Sequence, residues 1–264
     1  MCFDSDSRPP IPPVAGAAVG HERLTLTAND GNRFAAFEAR ASAEDAPRAA
    51  MLILPDVRGL HRYYEELALR FAEAGIDALA IDYFGRTASS SERGEGFDYV
   101  AHVAHTSYAG LRADVAAGAD RLRDGRARAL FSVGFCFGGR LALLTPTMPE
   151  LDLAGAVGFY GWPVGASRGD VPTPADRAGQ NRAPVLAIFG GADAGIPAEA
   201  VGAYETALAS AGSAHEIVTY PGAPHSFFDR KQAEHADASA DAWRRVLDFV
   251  AANASALDST TAER

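Results

Sequence analysis

The chain alternates short, uninterrupted apolar runs with segments of helical periodicity, and this constrains its fold more than anything else in it. The runs "AAMLILP", "IDALAID", "ALFSVGF", "AGAVGFY", "PVLAIFG" and "AHEIVTYP" span residues 49–55, 76–82, 129–135, 154–160, 184–190 and 214–221. Each is too short to be a helix and too apolar to be a strand with one wet face. Helical patterns over 63–74, 107–123, 198–211 and 238–252 lie between or after them, the last with Trp243, Val246, Leu247 and Val250 at i, i+3, i+4, i+7. Strands buried on both faces and separated by helices predict a mostly parallel sheet with helices on both sides. Upstream, "ERLTLTA" and "NRFAAFEAR" flank Asn29-Asp30-Gly31, a hairpin signal that adds antiparallel strands at one edge.

No composition break divides the body, so one domain over 21–255 is expected, with mobile tails at 1–20 (proline-rich) and 256–264. The formal net charge is −10, and no Lys/Arg cluster is present. This argues against nucleic acid or an anionic membrane as partner and leaves a small molecule. No run is long enough to span a membrane, and the first twenty residues lack the basic and apolar regions of a signal peptide. With two cysteines, Cys2 and Cys136, a structural disulfide is not expected, and a reducing, cytoplasmic setting fits. The sequence does not set an oligomeric state; a homodimer is compatible with it.

Ligands of such sheets bind beyond the carboxyl ends of the strands. The residues that follow the apolar runs are Asp56, Arg86, Cys136, Tyr160 with Trp162, Asp193 and His225. A thiol, a carboxylate and an imidazole occur in the order Cys136, Asp193, His225, the chain order of the α/β-hydrolase triad with cysteine as nucleophile. Gly134 and Gly138 flank the cysteine two residues away, as a sharp strand-to-helix turn requires. A helix starting there aims N–H groups at the sulfur, which favours thiolate. The N–H groups of Phe137 and of Val57, on the loop after "MLILP", are the expected oxyanion donors. His225 is the expected base and Asp193 its orienting carboxylate.

With these residues in place, "GFCFGG", "GADAGIP", "PGAPHSFF" and "DYFGR" make residues 20–253 resemble the dienelactone hydrolase family. The resemblance implies a single-domain α/β-hydrolase fold that cleaves lactones or activated esters, without cofactor or metal, through a thioester. It implies a small anionic substrate. The family glutamate that contacts the resting cysteine falls at Asp56, one methylene shorter, so a thiolate-gating role for Asp56 is an open expectation. The family's substrate arginine falls at Arg86, an expected carboxylate clamp. A second substrate arginine falls at Asp229, with Arg230 one place later. Tyr160, Trp162, Phe228 and Arg230 complete the expected substrate contacts.

Other features weigh less. His102 and His105 lack a third ligand, so no metal site is expected. Residues 85–105 read as a lid or a subunit contact. Two other classes are compatible with the same residues: a non-hydrolytic enzyme of this fold, either an isomerase or a lactone-forming cyclase, and a redox-sensing or ligand-binding module in which Cys136 is only a reactive thiol.

Overall fold

Among the described residues, eight strands form one sheet in the order β1-β2-β4-β3-β5-β6-β7-β8. The computed structural model describes residues 3–14, 19–42, 49–94, 96–124, 129–166 and 169–262, the stretch from 255 onward as backbone only. The strands are β1 Gly20–Thr27, β2 Arg33–Arg40, β3 Ala49–Leu54, β4 Asp77–Ile81, β5 Ala129–Phe135, β6 Gly155–Phe159, β7 Val185–Gly190 and β8 His215–Tyr220. The helices are α1 Arg62–Glu73, α2 Tyr99–Ala104, α3 Tyr108–Arg123, α4 Phe137–Leu144, α5 Pro174–Arg177, α6 Ala198–Ser210 and α7 Ala236–Ala262. β1 and β2 pair antiparallel, as do β2 and β4, and every other pairing is parallel. This is the α/β-hydrolase arrangement with an antiparallel N-terminal edge.

The apolar runs are continuous because both faces of the central strands are covered. In β3, Met51 and Ile53 pack into one core cluster with Leu67 and Phe71 of α1 and Val246 of α7. Its alternate residues Ala50, Leu52 and Leu54 pack into a second cluster with Leu111 and Val115 of α3 and Leu141 of α4. Residues i and i+2 of a strand share a face, so an apolar run without alternation feeds two cores. The edge strands β1 and β8 carry exposed residues along their length.

Strand order reverses between β3 and β5. From β3 the chain goes to β4 on one side and then to β5 on the other, so the loops after β3 and β5 diverge and open a crevice there. Cys136 follows β5 and Val57 follows β3, placing both at this switch point.

Two expectations are corrected. Residues 3–11 are not a mobile tail: Phe3 is 2% exposed, and the segment packs on the body. At the other end the backbone of α7 is helical to Ala262, so no break occurs near 256; residues 263–264 and Cys2 lie outside the described residues. Residues 85–105, read as a lid or a subunit contact, are tied to the body. Arg93 forms a buried pair with Asp82 at 2.6 Å, and the Phe97 ring packs on Phe84 at 5.5 Å.

Backbone meets backbone where α4 crosses the sheet. A Cβ on Gly138 would lie 2.1 Å from the Leu54 carbonyl oxygen and 2.2 Å from that of Pro55. Gly202, in the middle of α6, has open space around it. Gly138→Ala is therefore expected to cost well over about 1 kcal/mol. Gly202→Ala is expected to add about 0.5–1 kcal/mol. Urea unfolding of both variants tests the pair.

Candidate active site

Cys136, the expected nucleophile, sits on a strained turn. Cys136 joins β5 to α4 with φ 55° and ψ −111°, a conformation that side-chain-bearing residues rarely adopt. Its N–H donates to the Phe159 carbonyl at 3.0 Å, and its own carbonyl accepts the Arg140 N–H at 3.0 Å, locking the turn between β6 and α4. The turn closes only because its neighbours lack side chains. A Cβ on Gly134 would lie 2.0 Å from the Gly138 carbonyl oxygen, and one on Gly139 2.3 Å from that of Phe159. Cys136 is half-buried and not in a disulfide.

Asp193 and His225 meet across the loops after β7 and β8. His225 Nδ1 lies 2.6 Å from Asp193 Oδ2. The second carboxylate oxygen accepts the Gly195 N–H at 2.9 Å. Burial alone would raise the Asp193 carboxyl. The His225 hydrogen bond and charge, with the Gly195 and Ile196 N–H groups, outweigh it and hold the carboxyl below its ordinary value. An ionised Asp193 accepts, so Nδ1 carries the proton of neutral His225 and Nε2 keeps its lone pair. The Tyr160 ring lies 4.9 Å from the imidazole, and Tyr160 itself has φ 37°. Ser226, next to the histidine, has φ 59°, a strain the sequence did not signal.

Cys136, Asp193 and His225 line one cleft of ≈ 1090 Å³. Phe137, Val57, Tyr160 and Trp162 line it too, so both expected oxyanion donors and two expected substrate contacts are gathered there. Tyr99 and Val103 of α2 also reach the cleft. The loop bearing Val57 is held by tyrosines: the Tyr64 hydroxyl accepts the Asp56 N–H at 2.9 Å, and Tyr83 donates to the Asp56 carbonyl at 3.1 Å and to that of Pro55. Buried Arg140 fixes the wall that bears Trp162 by donating to the carbonyls of Trp162, Gly165, Val171 and Pro172.

Four expected contacts lie elsewhere. Arg86 is not a carboxylate clamp on the cleft. Its guanidinium is held by Asp30 at 2.6 Å and by buried Asp114 at 2.8 Å, which ties the β1–β2 hairpin turn to α3. Phe228 is a core residue, 1% exposed, stacked on Phe135 and tilted against Phe159 at 4.9 Å. Arg230 donates to the carbonyls of Pro9 and Ile11, both at 3.1 Å, and so grips the N-terminal segment. Asp56 is fully buried; its Oδ1 accepts the Arg58 N–H at 2.8 Å and its Oδ2 the Phe3 N–H at 3.0 Å. The cleft residues missed in the sequence include Tyr99, Val103 and Arg140 and, from the N-terminal segment, Phe3, Asp4 and Ser7. The one signal for that segment was a phenylalanine in an otherwise polar, proline-rich stretch.

Residues 34–254 match the dienelactone hydrolase family. The chain belongs to that family. A Salmonella typhimurium protein named "Putative carboxymethylenebutenolidase" is 31% identical over 235 residues, covering 86% of this chain and 86% of that protein. The "Carboxymethylenebutenolidase" of Rhodococcus opacus is 28% identical over 255 residues, covering 94% of this chain and 96% of that protein. Among solved structures, the "Putative Dienelactone Hydrolase" of Klebsiella pneumoniae superposes with a TM-score of 0.78 at 29% identity, covering 89% of this chain and 99% of that one. This member of the dienelactone hydrolase family is thus a hydrolase. Among its described residues no helix is long and apolar enough to cross a membrane.

Burial pushes the Asp56 carboxyl up to about 6, against the pull of the Arg58 and Phe3 N–H groups. A raised folded-state pKa means that the native state holds this proton more tightly than the unfolded chain. The resulting stabilisation is full below the unfolded pKa of 3.8 and is lost as the pH rises through about 6. Asp56→Asn removes that dependence. The stability of the variant relative to wild type is expected to improve by about 2 kcal/mol from pH 4 to pH 7. Denaturant titrations across that range measure it, and a flat difference would show that Asp56 is not a raised carboxyl.

Proposed function

We propose that this protein hydrolyses a lactone or activated ester through a thioester on Cys136. The reading is carried by the 2.6 Å His225–Asp193 contact in the same cleft as a cysteine held on a positive-φ turn at a helix start. His225 Nε2 takes the thiol proton, and Sγ attacks the acyl carbon. The N–H groups of Phe137 and Val57 receive the oxyanion. The acyl C–O bond breaks, and the proton passes from His225 to the leaving oxygen. Water then gives a proton to His225 and adds to the thioester; the C–S bond breaks, and the sulfur recovers its proton as the acid leaves. Asp193 keeps the imidazole in one tautomer and stabilises the imidazolium.

A thiolate attacks readily but is also the better leaving group from the tetrahedral intermediate, so substrates with good leaving oxygens suit it. Enol-lactones and aryl esters meet that condition, and amides do not. The name of the Rhodococcus relative supports the lactone class. A reducing, cytoplasmic site of action suits a catalytic thiol. Carboxylate recognition by Arg86 is no longer part of the reading, since its guanidinium is shared by Asp30 and Asp114.

Cys136→Ala is expected to abolish turnover of a p-nitrophenyl ester and of a dienelactone. Asp193→Asn is expected to lower kcat by about 10²–10⁴-fold with little change in KM. Wild-type reactions in oxygen-labelled water should place one solvent oxygen in the acid product. An unlabelled product would favour an isomerase or a cyclase, and turnover that survives in Cys136→Ala would remove the cysteine from the chemistry.

A further inference from the structure

The N-terminal segment forms part of the wall of the cleft. Phe3 is 2% exposed, and its ring stacks on Tyr63 at 3.9 Å. The same ring lies 6.3 Å from Tyr160, which touches His225, and 5.9 Å from Phe135, the residue before the nucleophile. Phe3, Asp4 and Ser7 line the same cleft as Cys136. An aromatic ring from residue 3 therefore stands one side chain away from two members of the triad.

The segment is fastened at both ends to loops of the site. At one end the Phe3 N–H donates to buried Asp56 at 3.0 Å. At the other the Arg8 N–H donates to Asp229 Oδ1 at 3.1 Å, and the Arg8 carbonyl accepts the Arg230 N–H at 3.0 Å. The Arg230 side chain caps the carbonyls of Pro9 and Ile11. Between the two ends the Asp4 N–H donates to Ser7 Oγ at 3.0 Å, and Lys231 reaches Asp4 at 3.4 Å and Asp6 at 2.5 Å. Asp56, Asp229 and Arg230 occupy positions first read as gate or substrate contacts, and all three hold this strap.

We infer that residues 3–9 are a specificity strap whose Phe3 ring sets the size of the acyl group admitted beside Cys136. The inference rests on the hydrolytic reading of the same cleft. The strap closes the space beyond Tyr160 with an aromatic ring on a fixed backbone. The substrate class is therefore a lactone or ester with a short acyl portion.

The test uses the full chain as wild type, Phe3→Ala, Phe3→Leu and Arg230→Ala, each checked for folding by circular dichroism. kcat/KM is measured on p-nitrophenyl acetate, butyrate and octanoate. In parallel, alkylation of Cys136 by iodoacetamide and by N-phenylmaleimide is followed by peptide mapping, so that Cys2 does not contribute. Phe3→Ala is expected to raise the octanoate-to-acetate ratio and the maleimide-to-iodoacetamide ratio by on the order of tenfold. Phe3→Leu should lie between, and Arg230→Ala should move both ratios the same way. If Phe3→Ala fails to fold, the leucine and Arg230 variants carry the test. Ratios equal to wild type in the folded variants would overturn the strap. Failure of the hydrolytic reading shows separately, as ester turnover absent or independent of Cys136 while the alkylation ratio still reports the wall.

Discussion

At the end of β5 three pieces of backbone touch with no side chain between them. The Gly138 Cα faces the carbonyls of Leu54 and Pro55, Gly134 faces Gly138, and Gly139 faces the Phe159 carbonyl. This contact holds Cys136 at positive φ, brings the first turn of α4 against the loop that bears Val57, and sets the spacing of β3, β5 and β6 at the switch point. A methyl group at any of these glycines would push apart the surfaces that form the cleft. The same compression that strains the turn thus presents the sulfur at the start of a helix, where backbone N–H groups suit a developing oxyanion.

Around this contact, much of the charge fixes loops and little of it is left to meet a substrate. Arg86 joins the hairpin turn to α3, Arg93 pairs with Asp82 inside the protein, and Arg140 gathers four carbonyls. Guanidinium suits these duties because its planar fork of donors serves several oxygens at once and never loses its charge. The Asp193–His225 pair differs from them: its partner can gain and lose a proton, and the imidazole faces a cleft instead of a packed interface. A buried arginine among carbonyls stabilises one geometry, whereas an imidazole on a carboxylate allows two charge states within one geometry.

Residues 3–11 show where a reading of the chain by segments fails. Proline-rich, polar and acidic, they lack the periodicity that marks packed elements, yet Phe3 is only 2% exposed. What holds them is a set of partners more than fifty positions away, from Asp56 to Arg230, and no local pattern encodes such pairings. Arg86 and Phe228 teach the same lesson from the other side. Both stand near the motifs in sequence, but Arg86 points to Asp114 and Phe228 into the core.

By itself the sequence determined the sheet, its burial on both faces, the order of thiol, carboxylate and imidazole, and the turn at Cys136. Each of these rests on local properties: strand and helix periodicity, the absence of a Cβ at fixed offsets, and the rule that sites lie beyond strand ends. Only the tertiary structure decided which charged groups face the cleft, which are used up in ion pairs, and that an N-terminal segment walls the site. Those outcomes depend on the direction of side chains and on contacts between residues far apart in the chain, which are settled when the elements pack and not before.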